Sequence, residues 1–220
     1  HYPLRRQRQM CIRDRNLTSG DTIIMRFDKK DLDDIVVDGG SQGEYVPNKK
    51  TNDSDFPLIY SADRIDYFLK TETTKLIGNA KAKHENTDLK AGFIEVNWPT
   101  RILNAFPKQP HDSINQFIKP TIIEKGRDPM VGNEMTYNLD TKKGKINYGK
   151  TKADDGFYKG KEIRNESDKT IYIKNSIFTT CDLDTPHFHF ESNKMKIIQD
   201  DVVIAKPVSY THLRAHETKA

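Results

Sequence analysis

The 220-residue chain carries 36 Lys and Arg against 32 Asp and Glu, a formal net charge of +4. That surplus belongs to the ends. The runs Arg5-Arg6-Gln7-Arg8-Gln9-Met10-Cys11-Ile12-Arg13-Asp14-Arg15 and Val208-Ser209-Tyr210-Thr211-His212-Leu213-Arg214-Ala215-His216-Glu217-Thr218 read as translations of opposing sequencing-library adapters. Residues 16–207 then hold 29 basic and 30 acidic residues, a net charge of −1, which removes the case for a nucleic-acid partner.

Setting aside residues 1–15 and 208–220 leaves one domain-sized stretch with a single cysteine, Cys181. It also implies that the gene runs on in both directions, so a missing leader or apolar span carries no information. The stretch is strongly charged, yet its apolar residues recur in an ordered pattern, which argues against disorder.

Taken in chain order, that pattern has period two. Ile23 and Met25 alternate with Ile24 and Arg26, and Ile65, Tyr67 and Leu69 share a side. Leu89, Ala91 and Phe93 follow, then Met135, Tyr137 and Leu139, Ile146 and Tyr148, Ile171 and Ile173, and Phe188 and Phe190. Such alternation places one set on the apolar face of a pleated strand and the other in water. Turn signals at Asp38-Gly39-Gly40, Gly78-Asn79, Asp154-Asp155-Gly156 and Thr185-Pro186 separate the runs. With no long amphipathic helix, the expectation is an all-β chain of many short antiparallel strands.

Two features qualify that expectation. Tyr67-Phe68-Leu69-Lys70-Thr71 is similar to Tyr137-Asn138-Leu139-Asp140-Thr141, a weak repeat that suggests a solenoid-like stack or a rolled sheet. Residues 99–120 contain Pro99, Pro107, Pro110 and Pro120. They read as an excursion from the sheet, with a short helix capped at Asp112 or Ser113 and carrying Ile114, Phe117 and Ile118.

Motifs for chemistry are few. Residues 144–151, Gly-Lys-Ile-Asn-Tyr-Gly-Lys-Thr, match a phosphate-loop pattern, but the alternation of Ile146 and Tyr148 is that of a strand, with no helix to face the phosphates. Cys181, His187 and His189, with Asp182 and Asp184, offer zinc-type ligands without a second cysteine or a helical histidine pair, so no metal site is assigned. With no oxyanion loop in view, Cys181 reads as a buried thiol more readily than as a nucleophile, and a third reading is half of a disulfide to a cysteine elsewhere. Nothing demands an enzyme or a cofactor.

The residues do resemble a family. Lys119-Pro120 through Gly144, Asp155-Gly156-Phe157-Tyr158-Lys159-Gly160, and above all Thr179-Thr180-Cys181-Asp182 followed by Pro186-His187-Phe188, Lys194-Met195-Lys196-Ile197-Ile198 and Pro207, resemble the OstA-like proteins of lipopolysaccharide transport. The order resembles that of the periplasmic N-terminal domain of the outer-membrane assembly protein, in its Bacteroidetes-type form. Upstream, Ser61 to Tyr67 and Gly78-Asn79-Ala80 are similar to the repeat shared with the periplasmic bridge protein.

The resemblance implies a twisted, V-shaped β-jellyroll, or β-taco, whose apolar interior accepts lipid A acyl chains. Groove candidates are then Ile65, Tyr67, Leu69, Phe93, Met135, Tyr137, Leu139, Ile146, Tyr148, Ile171, Ile173, Phe188 and Phe190. It further implies a periplasmic location and edge-strand pairing with a bridge protein. A C-terminal β-barrel with a lipoprotein plug would follow, and Cys181 would stand where some members form a disulfide to that barrel.

Overall fold

The computed structural model describes residues 8–12, 16–47, 56–108, 117–153, 156–167, 170–183, 185–198 and 201–212. The described residues are all-β, as the alternation predicts. Sixteen strands form one sheet: β1 (Arg8–Ile12), β2 (Asn16–Gly20), β3 (Thr22–Asp28), β4 (Asp31–Tyr45), β5 (Leu58–Phe68), β6 (Thr73–His84), β7 (Thr87–Asn97), β8 (Ile102–Phe106), β9 (Thr121–Glu124), β10 (Met130–Val131), β11 (Glu134–Asn138), β12 (Gly144–Ala153), β13 (Gly156–Ser167), β14 (Thr170–Thr179), β15 (Phe188–Ile198) and β16 (Val202–His212). Neighbours along the main path run β1-β2-β4-β5-β6-β7-β8-β11-β12-β13-β14-β15-β16, all antiparallel. Most connections join adjacent strands, so few contacts must span a long loop.

The strands are longer than the sequence runs suggest, because each long strand changes face midway. On β5 the buried residues are Leu58, Tyr60 and Ala62, then Ile65 and Tyr67, a step of three instead of two. On β7 Leu89 and Ala91, then Ile94 and Val96, belong to the core, with Phe93 buried outside it. The same step separates Ile146 from Gly149, Gly160 from Ile163, Ile173 from Ser176, and Ser192 from Met195. Strict alternation would send the second half of each strand's apolar set to solvent. A bend at the step turns both halves inward instead.

These steps line up into one crease across the sheet. Gly39 and Gly40 sit there at φ +79° and +59°, and Gly78 and Asn79 at +73° and +45°, with register shifts in the flanking pairs. The amide of Asn79 donates to the Asp63 carboxylate at 2.9 Å, tying two bent strands at the crease. Further along, Tyr148 (φ +50°) and Asn175 (φ +47°) mark the same line. Left-handed backbone is natural for glycine and tolerable for asparagine, but unfavourable for tyrosine. Thus two motifs read from sequence as turns between strands, at 38–40 and 78–79, are bends inside strands β4 and β6.

The crease divides the sheet into two arms. One ends in a ladder of turns where Leu69 N–H donates to Asp33 O (3.0 Å), Trp98 N–H to Glu72 O (3.1 Å) and Leu139 N–H to Arg101 O (2.9 Å). Leu69 and Leu139, paired by the sequence repeat, therefore do the same job one layer apart. The proline-rich excursion is shorter than expected: residues 102–106 form β8, which places Leu103 and Ala105 in the core. The chain leaves after Pro107 and returns at Ile118, whose N–H donates to Pro107 O at 2.9 Å. The expected helix begins at Asp112 or Ser113, outside the described residues; its end is not helical, since Ile118 O instead accepts from Gly92 N–H at 3.1 Å.

Candidate functional site

Between the arms lies a continuous apolar interior. In the N-terminal part it is filled by the protein's own side chains: Ile35, Val37, Ile65, Leu76, Ile94 and Val96 from one arm, and Tyr45, Leu58, Tyr60 and Ala82 from the other. The phenol oxygens of Tyr60 and Tyr67 lie 3.2 Å apart, although both belong to β5. On a straight strand seven residues would separate their Cα atoms by about 23 Å, so this hydrogen bond reports the fold at the crease. Burial raises both phenols above the ordinary tyrosine pKa.

The tips of the arms also meet in this part. The ring of Tyr45, at the end of β4, lies 4.5 Å from that of Trp98, at the far end of β7. Trp98 is held by a hydrogen bond from Nε1 to Thr74 Oγ1 at 2.8 Å. The Arg101 guanidinium sits 4.9 Å over Tyr45, His84 lies edge-on to Tyr137, and Lys142 pairs with Glu85. Aromatic and charged side chains thus latch the mouth of the V over β4–β11. Burial is the main cause holding the His84 imidazole below the usual histidine pKa.

Further along, the interior changes character. A narrow gap, with a cavity volume of only ≈ 20 Å³, lies between Leu89, Ile122, Met130, Met135, Tyr137, Ile146 and Ile163, with Lys145, Glu124 and Asn165 at its margin. Beyond it the rings stack along a single arm: Tyr158 to Phe178 at 4.9 Å, Phe178 to Phe190 at 6.2 Å, and Phe190 to Tyr210 at 5.0 Å. Exposure rises along that row, from buried Tyr158 to 36 % at Phe190 and 57 % at Tyr210. Ile163, Ile173, Met195 and Ile197 line the opposite arm. Exposure thus grows toward β16, the last strand of the sheet, on the ring-bearing arm only, while Ile163, Ile173, Met195 and Ile197 stay buried.

The sequence-derived groove candidates divide accordingly. Ile65, Tyr67, Leu69, Leu139, Ile171 and Ile173 belong to the interior or pack against it, and Met135, Tyr137 and Ile146 converge on the gap. Phe93 is buried but stands outside the main cluster, paired with Phe106 at 6.1 Å. Phe188 and Phe190 both reach Tyr210. Tyr148 must be corrected: it is 61 % exposed, because the bend at its own residue swings it out of the alternation that Ile146 begins. Tyr158, Ile163 and Phe178 were missed, since the extra residue of step, between Gly160 and Ile163 in β13 and between Ile173 and Ser176 in β14, breaks the period.

The block around Cys181 forms a small polar corner. Cys181 Sγ lies 3.7 Å from His187 Nδ1, and its N–H donates to Thr179 Oγ1 at 3.0 Å, while Thr179 donates to Phe188 O at 2.7 Å. His189 turns away to Glu191, at 3.0 Å. Cys181 is half-buried and unpaired with another cysteine. Among the described residues no three His, Cys, Asp or Glu side chains converge as a metal would require; Asp184 lies outside them. Residues 144–151 lie within β12.

Comparison with known proteins adds little. No family model matches the chain, and no curated protein does. Among solved structures, the chain is similar to LptH, the LptA-homologous periplasmic component of the lipopolysaccharide transport device of Pseudomonas aeruginosa. The TM-score is 0.46 at 17 % identity, over 51 % of this chain and 76 % of that one. A likeness of that grade assigns no function.

Proposed function

We propose that residues 16–207 are a periplasmic, non-enzymatic domain of the OstA-like kind that carries lipopolysaccharide by its lipid A acyl chains. The observation that supports this most is the row of rings along β13–β16, Tyr158, Phe178 and Phe190, whose exposure rises toward β16. The family resemblance of the sequence points the same way. In this reading residues 1–15 and 208–220 are adapter translation, and their alternation (as in Val208-Ser209-Tyr210) is enough to extend the sheet.

The energetics limit what such a domain does. Each buried methylene contributes roughly 0.8 kcal/mol, so a chain of about a dozen carbons gains on the order of 10 kcal/mol. A bilayer offers the same chain about as much. The domain is then a passive slide, and directional work comes from elsewhere. The edge strands supply main-chain groups for pairing with an OstA-like bridge protein. Cys181 is the tether to a barrel encoded beyond Pro207, with its lipoprotein plug. A full-length product with no downstream cysteine would leave Cys181 a free thiol and remove the tether.

One observation favours a second reading, a structural or adhesive β-solenoid with no lipid ligand: the latched, self-filled interior over β4–β11. Photocrosslinking separates the two. With a photoreactive residue at Ile173, Phe178 or Phe190, lipopolysaccharide crosslinks are expected, and at Ile35 they are not. No crosslink at any position would favour the solenoid.

A further inference from the structure

The outer face of β12–β16 is strongly basic although the trimmed chain is nearly neutral. These five strands carry ten Lys and Arg against three Asp and Glu. Strands β3–β7 carry the reverse, ten acids against six bases. Nine of the ten cations fall on positions facing away from the interior, and Lys145 stands at the margin of the gap and pairs with Glu162.

Their arrangement is unfavourable for folding alone. Lys150 lies directly opposite Lys159, Lys174 opposite Lys194, and Lys194 opposite Lys206. Like charges facing each other across strands destabilise a sheet. Glu162 neutralises one corner through Lys145, Arg164 and Lys174. Lys150, Lys159, Lys161, Lys194 and Lys206 form no ion pair among the described residues.

Shape and ring placement complete the surface. Where the crease passes, Tyr148, Lys150, Lys159, Lys161 and Asn175 surround a shallow depression of ≈ 360 Å³, floored by Gly149 and Gly160. Tyr148 and Tyr172 project between the lysines, 61 % and 42 % exposed, and Lys196 lies 5.7 Å over the Tyr172 ring.

We propose that this face docks on an anionic phospholipid bilayer, lysines on the headgroup phosphates and the two tyrosines in the interfacial layer. Amphipathic rings among lysines suit that boundary. An extended polyanion such as a nucleic acid would also meet the acidic strands β3–β7, whereas a bilayer touches one face only. The proposal is independent of what the interior carries.

The test is co-sedimentation of the full chain with phosphatidylcholine vesicles, with and without phosphatidylglycerol. Binding is expected only with phosphatidylglycerol, and should weaken as salt rises. Each lysine at an anionic surface is worth about fivefold in affinity, so the triple variant K150Q/K159Q/K161Q should bind about a hundredfold more weakly. The control triple K81Q/K83Q/K90Q removes the same charge from the outer face of β6 and β7, and should bind nearly as the parent does. Circular dichroism confirms that both variants fold. Equal binding to neutral vesicles, no binding to anionic ones, or equal losses in both triples would overturn the proposal.

Discussion

Glu162 offers the sharpest test of the outer face, because one carboxylate holds three cations. Lys145 lies at 3.1 Å, Arg164 at 2.8 Å and Lys174 at 2.9 Å, from three neighbouring strands. Its pKa is lowered from 4.5 to about 2, first by the hydrogen bond from Lys174; burial opposes this as the next-largest effect, and the hydrogen bonds from Lys145 and Arg164 outweigh it. Taken at face value, such a shift is about 3 kcal/mol. The three cations are each roughly half exposed, so screening reduces the contribution to about 1–2 kcal/mol. A depressed carboxylate stabilises the fold fully above its unfolded pKa and loses that contribution as pH falls toward the folded value. Glu162→Gln should therefore lower the unfolding free energy by about 1–2 kcal/mol at neutral pH. The gap should shrink as pH falls from about 4.5 toward about 2, because the unfolded chain's carboxylate takes up its proton before the native one does. Urea is the right denaturant, since guanidinium is itself a screening salt. A gap that stays constant with pH, or none at low salt, would refute the reasoning.

Three further substitutions probe the folded sheet by the same urea measurement. Leu76→Ala, at a fully buried position of the closed interior, should cost about 3 kcal/mol. A cost under about 1 kcal/mol would mean a loosely packed interior there. Gly160→Val should cost about 2–3 kcal/mol, because a Cβ there meets Ile173 Cγ2 at 2.2 Å; a neutral result would show the crease to be slack. Tyr148→Gly should be neutral, or stabilising by up to about 1 kcal/mol, as it relieves a positive φ at an exposed site. A loss of about 3 kcal/mol or more would return Tyr148 to the interior.

The β class and most of the interior were legible in the sequence because period two is a local property. Tyr67 and Leu69, or Met135 and Tyr137, announce one face within three residues. The crease is not local in that sense. It changes the phase of alternation by one residue, so a single long strand such as β13 reads as two unrelated runs, and Ile163 is lost between them. Gly39-Gly40 and Gly78-Asn79 did carry a signal, but positive-φ residues mark a bend within a strand as well as a turn between strands. The mouth of the V was invisible for another reason. Tyr45 meets Trp98, and Arg101 meets Tyr45, only after the fold brings distant strand ends together. The basic outer face was hidden by averaging, since acids concentrated in β3–β7 cancel the lysines of β12–β16 in any whole-chain count.

The proposed function requires an acyl chain to enter the interior over β13–β16 while that over β4–β11 stays filled by its own side chains. Methyl-resolved NMR of isoleucine-labelled protein, titrated with a long-chain amphiphile, tests it most directly. Ile163, Ile171, Ile173 and Ile197 should shift together and saturably, while Ile35, Ile65 and Ile94 stay in place. Equal shifts in both sets, or none in either, would contradict it.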